Sequence, residues 1–194
     1  MKTDAELIAG LKSNDRRLYA EFVGAFASRV YNVAFNILHR KEDAEEVAQD
    51  VFIKVFQSID SFDGSCTLKT WMYRITVNKS LDALRAKKRK TPWSVFVHLF
   101  TGEGEGNKAI VAVEPVHPGI QLEQKEEAEI LLSVIEKLPE RQKAVFVLYQ
   151  FEDMSYKEIA STLEISVSAV DSLMSRAKKQ LREQLNSLMY GSIR

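Results

Sequence analysis

Between Met154 and Glu183 the chain reads MSYKEIASTLEISVSAVDSLMSRAKKQLRE, and one side of its second half carries residues suited to reading a base edge. On a helix beginning near Ser166, the residues Ser168, Asp171, Ser172, Ser175, Lys179 and Arg182 share a stripe, with Arg176 at its margin. Short hydroxyls near a helix start suit base edges, and the cations that follow suit phosphates. Asp171 can accept from cytosine N4, although an acid there repels phosphate. Such a stripe must be held by a buried one, and Val170, Leu173, Met174, Ala177 and Leu181 supply it at helical spacing. Upstream, Ser155 and Glu158 form a capping box. Ile159, Ala160 and Leu163 then line one side of a short helix; the small Ala160 lets the next helix cross closely and Ile165 plugs the turn. Ser166 is the expected cap of the second helix, with Ser168 and Asp171 as a rival start. The spacing predicts a helix-turn-helix, whose second helix is shaped for the major groove. Capped helices with a solvated outer face also occur in proteins that never meet DNA, so the remaining chain has to decide.

A second set of polar residues lies on a long helix expected from Leu68 to about Arg89. Arg74, Asn78 and Arg85 fall on one face at i, i+4 and i+11; Lys69 and Lys79 flank them, and Lys88 and Arg89 continue the basic end. Asparagine offers donor and acceptor together, and arginines along one side can follow phosphates. A merely solvated face explains the same pattern. Trp71, Ile75, Val77, Leu81 and Leu84 are read as packing residues, although Leu81 falls near the polar face. Trp71 and Tyr73 could stack on bases, but packing is the simpler role for Trp71. Just before the helix, the loop Ser61–Thr67 offers Ser61, Phe62, Asp63 and Ser65, a polar setting able to hold one extruded base.

Composition bounds the rest. A chain of 194 residues with 45% hydrophobic and 28% charged residues is long enough for one or two soluble domains with a real core. Net charge is zero overall, but residues 1–90 hold 16 Lys and Arg against 12 Asp and Glu, while residues 121–194 hold 10 against 12. The basic excess is concentrated in Arg85–Lys90 and in Arg176, Lys178, Lys179 and Arg182, which implies local phosphate contacts balanced by acidic surfaces with another use. One cysteine, Cys66, excludes an internal disulfide and fits a reducing compartment. It is read as an inert loop or packing residue. The charged start MKTDAELIAG is no signal peptide, and the apolar stretch Trp93–Phe100 is far too short to span a bilayer. A cytoplasmic location follows as the expectation.

The periodicity is helical throughout, so the expected fold is all-α: two small helical domains joined by a flexible linker. Asp4–Leu11 is a short amphipathic start. Asp15–Leu38 buries Leu18, Phe22, Phe26, Val30, Val33, Ala34 and Ile37. Lys41-Glu42-Asp43 opens a third helix with Asp43 as candidate cap, burying Ala44, Val47, Ala48, Val51, Phe52 and Val55. Thr91–Gly119, with alternating glycines and two prolines, is expected to hold no regular element. Pro139 should start a helix running to about Phe151. The boundaries expected are 1–90, a linker at 91–120, and 121–194.

The segments EDAEEVAQDVFIKVF (42–56), TWMYRITVNKSLDALRAKKR (70–89), LPERQKAVFVLYQFEDMSYKEIASTLEISVSAV (138–170) and SRAKKQL (175–181) occur in this order. Together they resemble the extracytoplasmic-function, or group four, sigma factors of bacterial RNA polymerase, nearly end to end from Leu11 to Leu185. The resemblance implies a region 2-like domain that docks on polymerase and opens the −10 element, and a region 4-like domain that reads the −35 element. It implies that Glu46, Gln49 and Asp50 meet the clamp helices of the β′ subunit; helical spacing independently turns them away from Val47, Val51 and Val55. It further implies that Ser61–Thr67 traps a flipped −10 base with Asn78 lining the pocket, and that the linker threads toward the polymerase active site. Core polymerase (β′ clamp helices and β flap), promoter DNA and an anti-sigma factor are the partners implied. The residue at 171 departs from a family habit of lysine or arginine in the recognition helix, so the −35 sequence cannot be borrowed.

On this reading the chain is a promoter-specificity subunit and no enzyme, with no cofactor, no metal and no small-molecule substrate. The alternative is a helix-turn-helix regulator that binds an operator without being a polymerase subunit, but the helical first half lacks the strand pattern of a receiver domain. A DNA-independent helical adaptor is a third class. His39, His98 and His117 have no ligand spacing with one another or with Cys66, and each is expected at the surface or in the linker.

Overall fold

The computed structural model describes residues 3–101 and 130–191, with side chains described up to Lys87 and again from residue 130 to Leu188. Every regular element among the described residues is helical. The first half contains α1 (Asp4–Lys12), α2 (Arg16–Leu38), α3 (Lys41–Ser58), a 3-10 turn (Ile59–Ser61) and α4 (Leu68–Thr101). The second half contains α5, helical over 130–136, then α6 (Glu140–Gln150), α7 (Tyr156–Leu163) and α8 (Val167–Gly191).

Helix starts follow local chemistry. Thr3 and Glu6 form a capping box on α1, and the Asp15 carboxylate accepts from the Arg17 and Leu18 amides at 2.8 and 3.2 Å to open α2. Gly10 is where α1 and α2 touch: a Cβ added there would lie 2.7 Å from Leu18 Cβ, closer than packed atoms tolerate. Helix α3 departs from expectation. It begins at Lys41 behind an N-cap, Arg40, that makes no side-chain cap bond. Asp43 therefore lies in the first turn, where its carboxylate suits the positive end of the helix and pairs with Lys87 and, at 3.8 Å, with Arg40.

Helices α2, α3 and α4 pack on one another through Phe22, Val30, Val33, Ile37, Val51, Val55, Met72 and Val77, all fully buried. The buried side of α4 also includes two hydroxyls. Thr76 donates to the Met72 carbonyl at 2.9 Å and Ser80 to the Thr76 carbonyl at 2.8 Å. Each hydroxyl is satisfied within its own helix, so the small residues admit close packing without leaving a polar group stranded. Leu81, near the polar face in sequence, is buried. The α4 backbone continues helical to Thr101, past the expected end near Arg89 and through Pro92. The rest of the expected linker, with His117, lies outside the described residues.

In the second half Pro139 precedes α6 as expected, and α6 and α7 pack on α8. The two halves also touch, α6 on α2 and α7 on α4. Lys143 is buried at this junction, with Nζ 3.4 Å from the Ile37 carbonyl at the end of α2. There a cation meets unsatisfied carbonyls and the negative helix end.

His39 closes α2 in the left-handed region (φ 53°). It is buried, contrary to the surface position expected from sequence, with both ring nitrogens unpartnered. Turn chemistry explains the difference: the residue that ends α2 is folded back under the junction. Burial, assisted by Lys143, holds its pKa down at about 4. A depressed histidine favours the fold above its ordinary pKa near 6.5 and loses that contribution as pH falls toward 4. Wild type should therefore lose about 2 kcal/mol between pH 7 and pH 5 relative to His39→Asn, asparagine being the substitute best able to keep the left-handed turn. Urea melts of the two proteins across this range will measure it, and parallel pH profiles would refute it.

Candidate nucleic-acid interface

The helix-turn-helix forms as its caps dictate. Ser155 Oγ accepts from the Glu158 amide at 3.3 Å, and the Glu158 carboxylate accepts from the Ser155 hydroxyl at 2.7 Å and the Ser155 amide at 2.8 Å, two bonds that hold Glu158 below the usual carboxylate range. Helix α7 buries Ile159 and Ala160 and stops at Glu164, which is left-handed (φ 54°). Ile165 is half-buried in the turn. Ser166 Oγ accepts from the Ala169 amide at 3.1 Å, so Ser166, and not the rival Ser168, caps α8. Val170, Met174, Ala177 and Leu181 are buried and Leu173 half-buried, leaving Ser168, Asp171, Ser172, Ser175, Arg176, Lys179 and Arg182 exposed on the outer side.

The loop before α4 is shaped by short polar bonds. Asp63 accepts from the Ser65 amide at 2.9 Å, which lowers its pKa, and Ser61 Oγ donates to the Ser58 carbonyl at 2.6 Å. Gly64, at φ 76°, makes the turn. Thr67 Oγ1 accepts from the Thr70 amide at 3.1 Å and starts α4. Phe62 does not face outward: it is buried, its ring 5.1 Å from that of Trp71, and its carbonyl accepts from Lys12 Nζ at 3.2 Å. Its hydrophobic ring anchors the loop and leaves Ser61, Asp63 and Ser65 exposed. Cys66 is half-buried and free.

Along α4, Asn78 is exposed, about 15 Å of helix beyond Leu68, while Tyr73 is fully buried and Trp71 half-buried in packing. The α4 cations whose side chains are described are all engaged. Lys79 donates to Asp50 at 2.8 Å. Arg85 donates to Glu140 at 2.9 Å and to Asp82 at 3.1 Å. Arg74 is half-buried, donating to the Glu164 carboxylate at 2.7 Å and the Ser161 carbonyl at 2.8 Å. Lys69 lies 5.6 Å from the Tyr73 ring centroid. The side chains of Lys88 and Arg89 lie outside the described residues.

On α3, Glu46, Gln49 and Asp50 are exposed together. Sequence reading missed that Ile53 (52% exposed) and Phe56 (44%) continue this face, beside a cavity of about 460 Å³ also lined by Tyr19. The signal was available: Ile53 follows Gln49 by four and Asp50 by three, and Phe56 follows Ile53 by three. Among the described residues there is no cluster of side chains able to hold a metal, and no helix long and apolar enough to cross a membrane.

Residues 22–90 match the family profile of Sigma-70 region 2, and residues 128–181 match that of Sigma-70, region 4. The chain is 29% identical to the ECF RNA polymerase sigma factor SigW of Bacillus subtilis, over 93% of this chain and 96% of that protein. It is 27% identical to the ECF RNA polymerase sigma-E factor of Escherichia coli, over 96% of each. The fold resembles that of CnrH, solved in complex with the cytosolic domain of CnrY, with a TM-score of 0.68, 23% identity, and 96% and 99% of the two chains covered. A second solved structure, the sigma factor RpoE with the anti-sigma factor NepR from Bartonella quintana, gives a TM-score of 0.64 at 21% identity, covering 87% of this chain and 96% of that one. The matches to regions 2 and 4, in this order along the chain, define a promoter-recognition protein. The chain belongs to the sigma-70 family, as an extracytoplasmic-function sigma factor with regions 2 and 4. It directs promoter-specific initiation as a non-catalytic subunit of RNA polymerase, which sets aside the operator-binding regulator and the DNA-independent adaptor.

The Thr67 cap sets both the start of α4 and the end of the loop. Thr67→Ala should cost about 1 kcal/mol in urea unfolding, with Thr67→Asp close to wild type; equal stability of all three would show that the cap contributes nothing.

Proposed function

We propose that residues 1–90 act as the docking and −10 domain, 91–120 as the linker and 121–194 as the −35 domain, working in the cytoplasm with core polymerase. The observation that carries this reading is the exposure of Asn78. It is a polar side chain left open on α4, the helix that follows a loop whose Ser61, Asp63 and Ser65 are also open. A base held there must first leave the stack, at a cost of a few kcal/mol that polar contacts in the pocket must return. Lys69, Arg74, Lys79, Arg85, Lys88 and Arg89 then follow the adjacent phosphates. Phe62 supports the loop from inside.

Glu46, Gln49 and Asp50 form the acidic face for the β′ clamp helices, with Ile53 adding apolar area alongside. The second domain places Ser166, Ser168, Asp171, Ser172, Ser175, Arg176 and Lys179 toward the −35 major groove and offers its other surface to the β flap. An anti-sigma factor is the expected inhibitor, in keeping with the complexes of the two similar folds.

Asn78→Ala should reduce open-complex formation on duplex promoters by at least tenfold while core binding is retained, and a pre-melted bubble should recover part of the loss. Permanganate reactivity of −10 thymines and abortive transcription will report this; normal opening by the variant would return Asn78 to the role of a surface residue. At the other element, Asp171→Ala should relax preference at one −35 position by roughly 1–3 kcal/mol. Lys179→Ala should instead weaken all promoters alike and reduce the salt slope. Selection of randomised −35 sequences by the reconstituted holoenzyme separates the two effects, and an unchanged preference with Asp171→Ala would remove that residue from base reading.

A further inference from the structure

We propose that Val167 is a further specificity-determining residue of the −35 domain, and that its ligand is the C5-methyl group of a thymine in the major groove. The assignment rests on the −35 role given above to α8 and deepens it at a residue that role left unused.

Val167 is the first residue of α8 and is 45% exposed. A single open valine needs no explanation on an ordinary surface. Its company here is different from that of the other large apolar residues left open. Ile53 with Phe56, Ile130 with Leu131, and Tyr149 with Phe151 occur in pairs, and Leu188 lies in the last turn of α8. Val167 stands by itself between two exposed serines, at the start of the helix assigned to the groove.

Neither packing nor helix initiation accounts for it. The buried stripe of α8 begins three residues later, at Val170. The cap is supplied by Ser166, whose Oγ accepts from the Ala169 amide at 3.1 Å. An acid would serve the positive end of the helix better, and valine is a weak helix former; the first turn of α8 nevertheless holds no acid.

The hydroxyls around it narrow the chemistry. Ser172 Oγ donates to the Ser168 carbonyl at 2.9 Å, so its proton is committed within the helix and its lone pairs face outward. Ser166 Oγ and Ser168 Oγ lie 3.0 Å apart and share one hydrogen bond, which commits a second proton. Asp171 only accepts. The start of the helix therefore presents mainly acceptors together with one apolar group. In the major groove, acceptors match the amino groups of cytosine and adenine, and an apolar group matches the thymine methyl, the one carbon substituent a base pair exposes there.

Geometry favours the contact. Val167 and Asp171 are four residues apart, so they are neighbours along the helix surface and can address neighbouring base pairs. A β-branched side chain in a helix is held in essentially one rotamer, so little side-chain freedom is lost when it packs on a methyl.

The experiment removes that methyl alone. Holoenzyme made from core polymerase and the full-length protein selects −35 sequences from a randomised pool. Each thymine of the selected sequence, on either strand, is then replaced by deoxyuridine, which keeps the pairing edge. Wild type should bind about fourfold more weakly at one such position, the worth of one buried methyl-sized group. Val167→Ala, whose side chain ends at Cβ and falls short of the base, should bind the thymine promoter as weakly as wild type binds the deoxyuridine one, with unchanged helicity and no further loss on replacement. Val167→Ile should retain the difference. If no thymine responds, or if Val167→Ala responds as wild type does, Val167 is not a base reader, while a defined selected sequence leaves the −35 role of α8 standing. If the pool yields no −35 preference at all, that role fails and the proposal is overturned with it.

Discussion

Burial of one side of α4 is the constraint on which the remaining structure depends. Met72, Thr76, Val77, Ser80 and Leu81 are packed against α2 and α3, and that packing fixes the rotation of the helix. Once the rotation is fixed, Asn78 must face out, Lys79 must reach α3, and Arg74 must point toward the second half. Two hydroxyls within the buried stripe make this possible, because each bonds to its own helix and asks nothing of its neighbours. A leucine at either position would add apolar area but would hold α2 and α3 further away.

Electrostatics at helix ends governs how the halves meet. Lys143 brings a cation from the second half to the C-terminal carbonyls of α2, and Arg74 brings one from the first half to those of α7. The exchange is reciprocal, and each cation satisfies groups that a helix necessarily leaves open. Burial raises the pKa of both Tyr73 and Glu152 nearby, so the hydrogen bond between them spans a desolvated patch within an otherwise polar junction. These contacts are few and directional, the kind that define an arrangement without committing much apolar area to it.

Much of this was legible in sequence, wherever the determinant is local. Ser155 with Glu158, Ser166 and Asp15 start helices through bonds between residues at most three apart, and Pro139 precedes one because its ring fixes φ. The exposed stripes of α3 and α8 followed from the period of a helix and a sufficient set of apolar partners. What could not be read was contact through space. An arginine awaiting phosphate and one held by Glu164 have the same neighbours in sequence, and His39 looks like any residue after a helix until a second domain covers it. Asp43 had the composition of a cap, but Arg40 and Lys41 extended the helix by a turn's fraction and left it inside. Phe62 shared a loop with open polar residues and turned inward because Trp71 gave its ring a place. The domain matches give the family; they do not give these pairings.

The ion pair between Lys79 and Asp50 joins a residue proposed to meet DNA with one proposed to meet polymerase. As an exposed pair it is worth no more than about 1 kcal/mol, too little to matter for the fold. Its interest lies in reciprocity. A basic partner that claims Asp50 lowers the cost of giving Lys79 to a phosphate, and a phosphate that claims Lys79 lowers, by an equal free energy, the cost of giving Asp50 to the partner. Two surfaces on neighbouring helices are thereby thermodynamically linked through a single bond of 2.8 Å, with no movement of the backbone required for one to register the occupancy of the other.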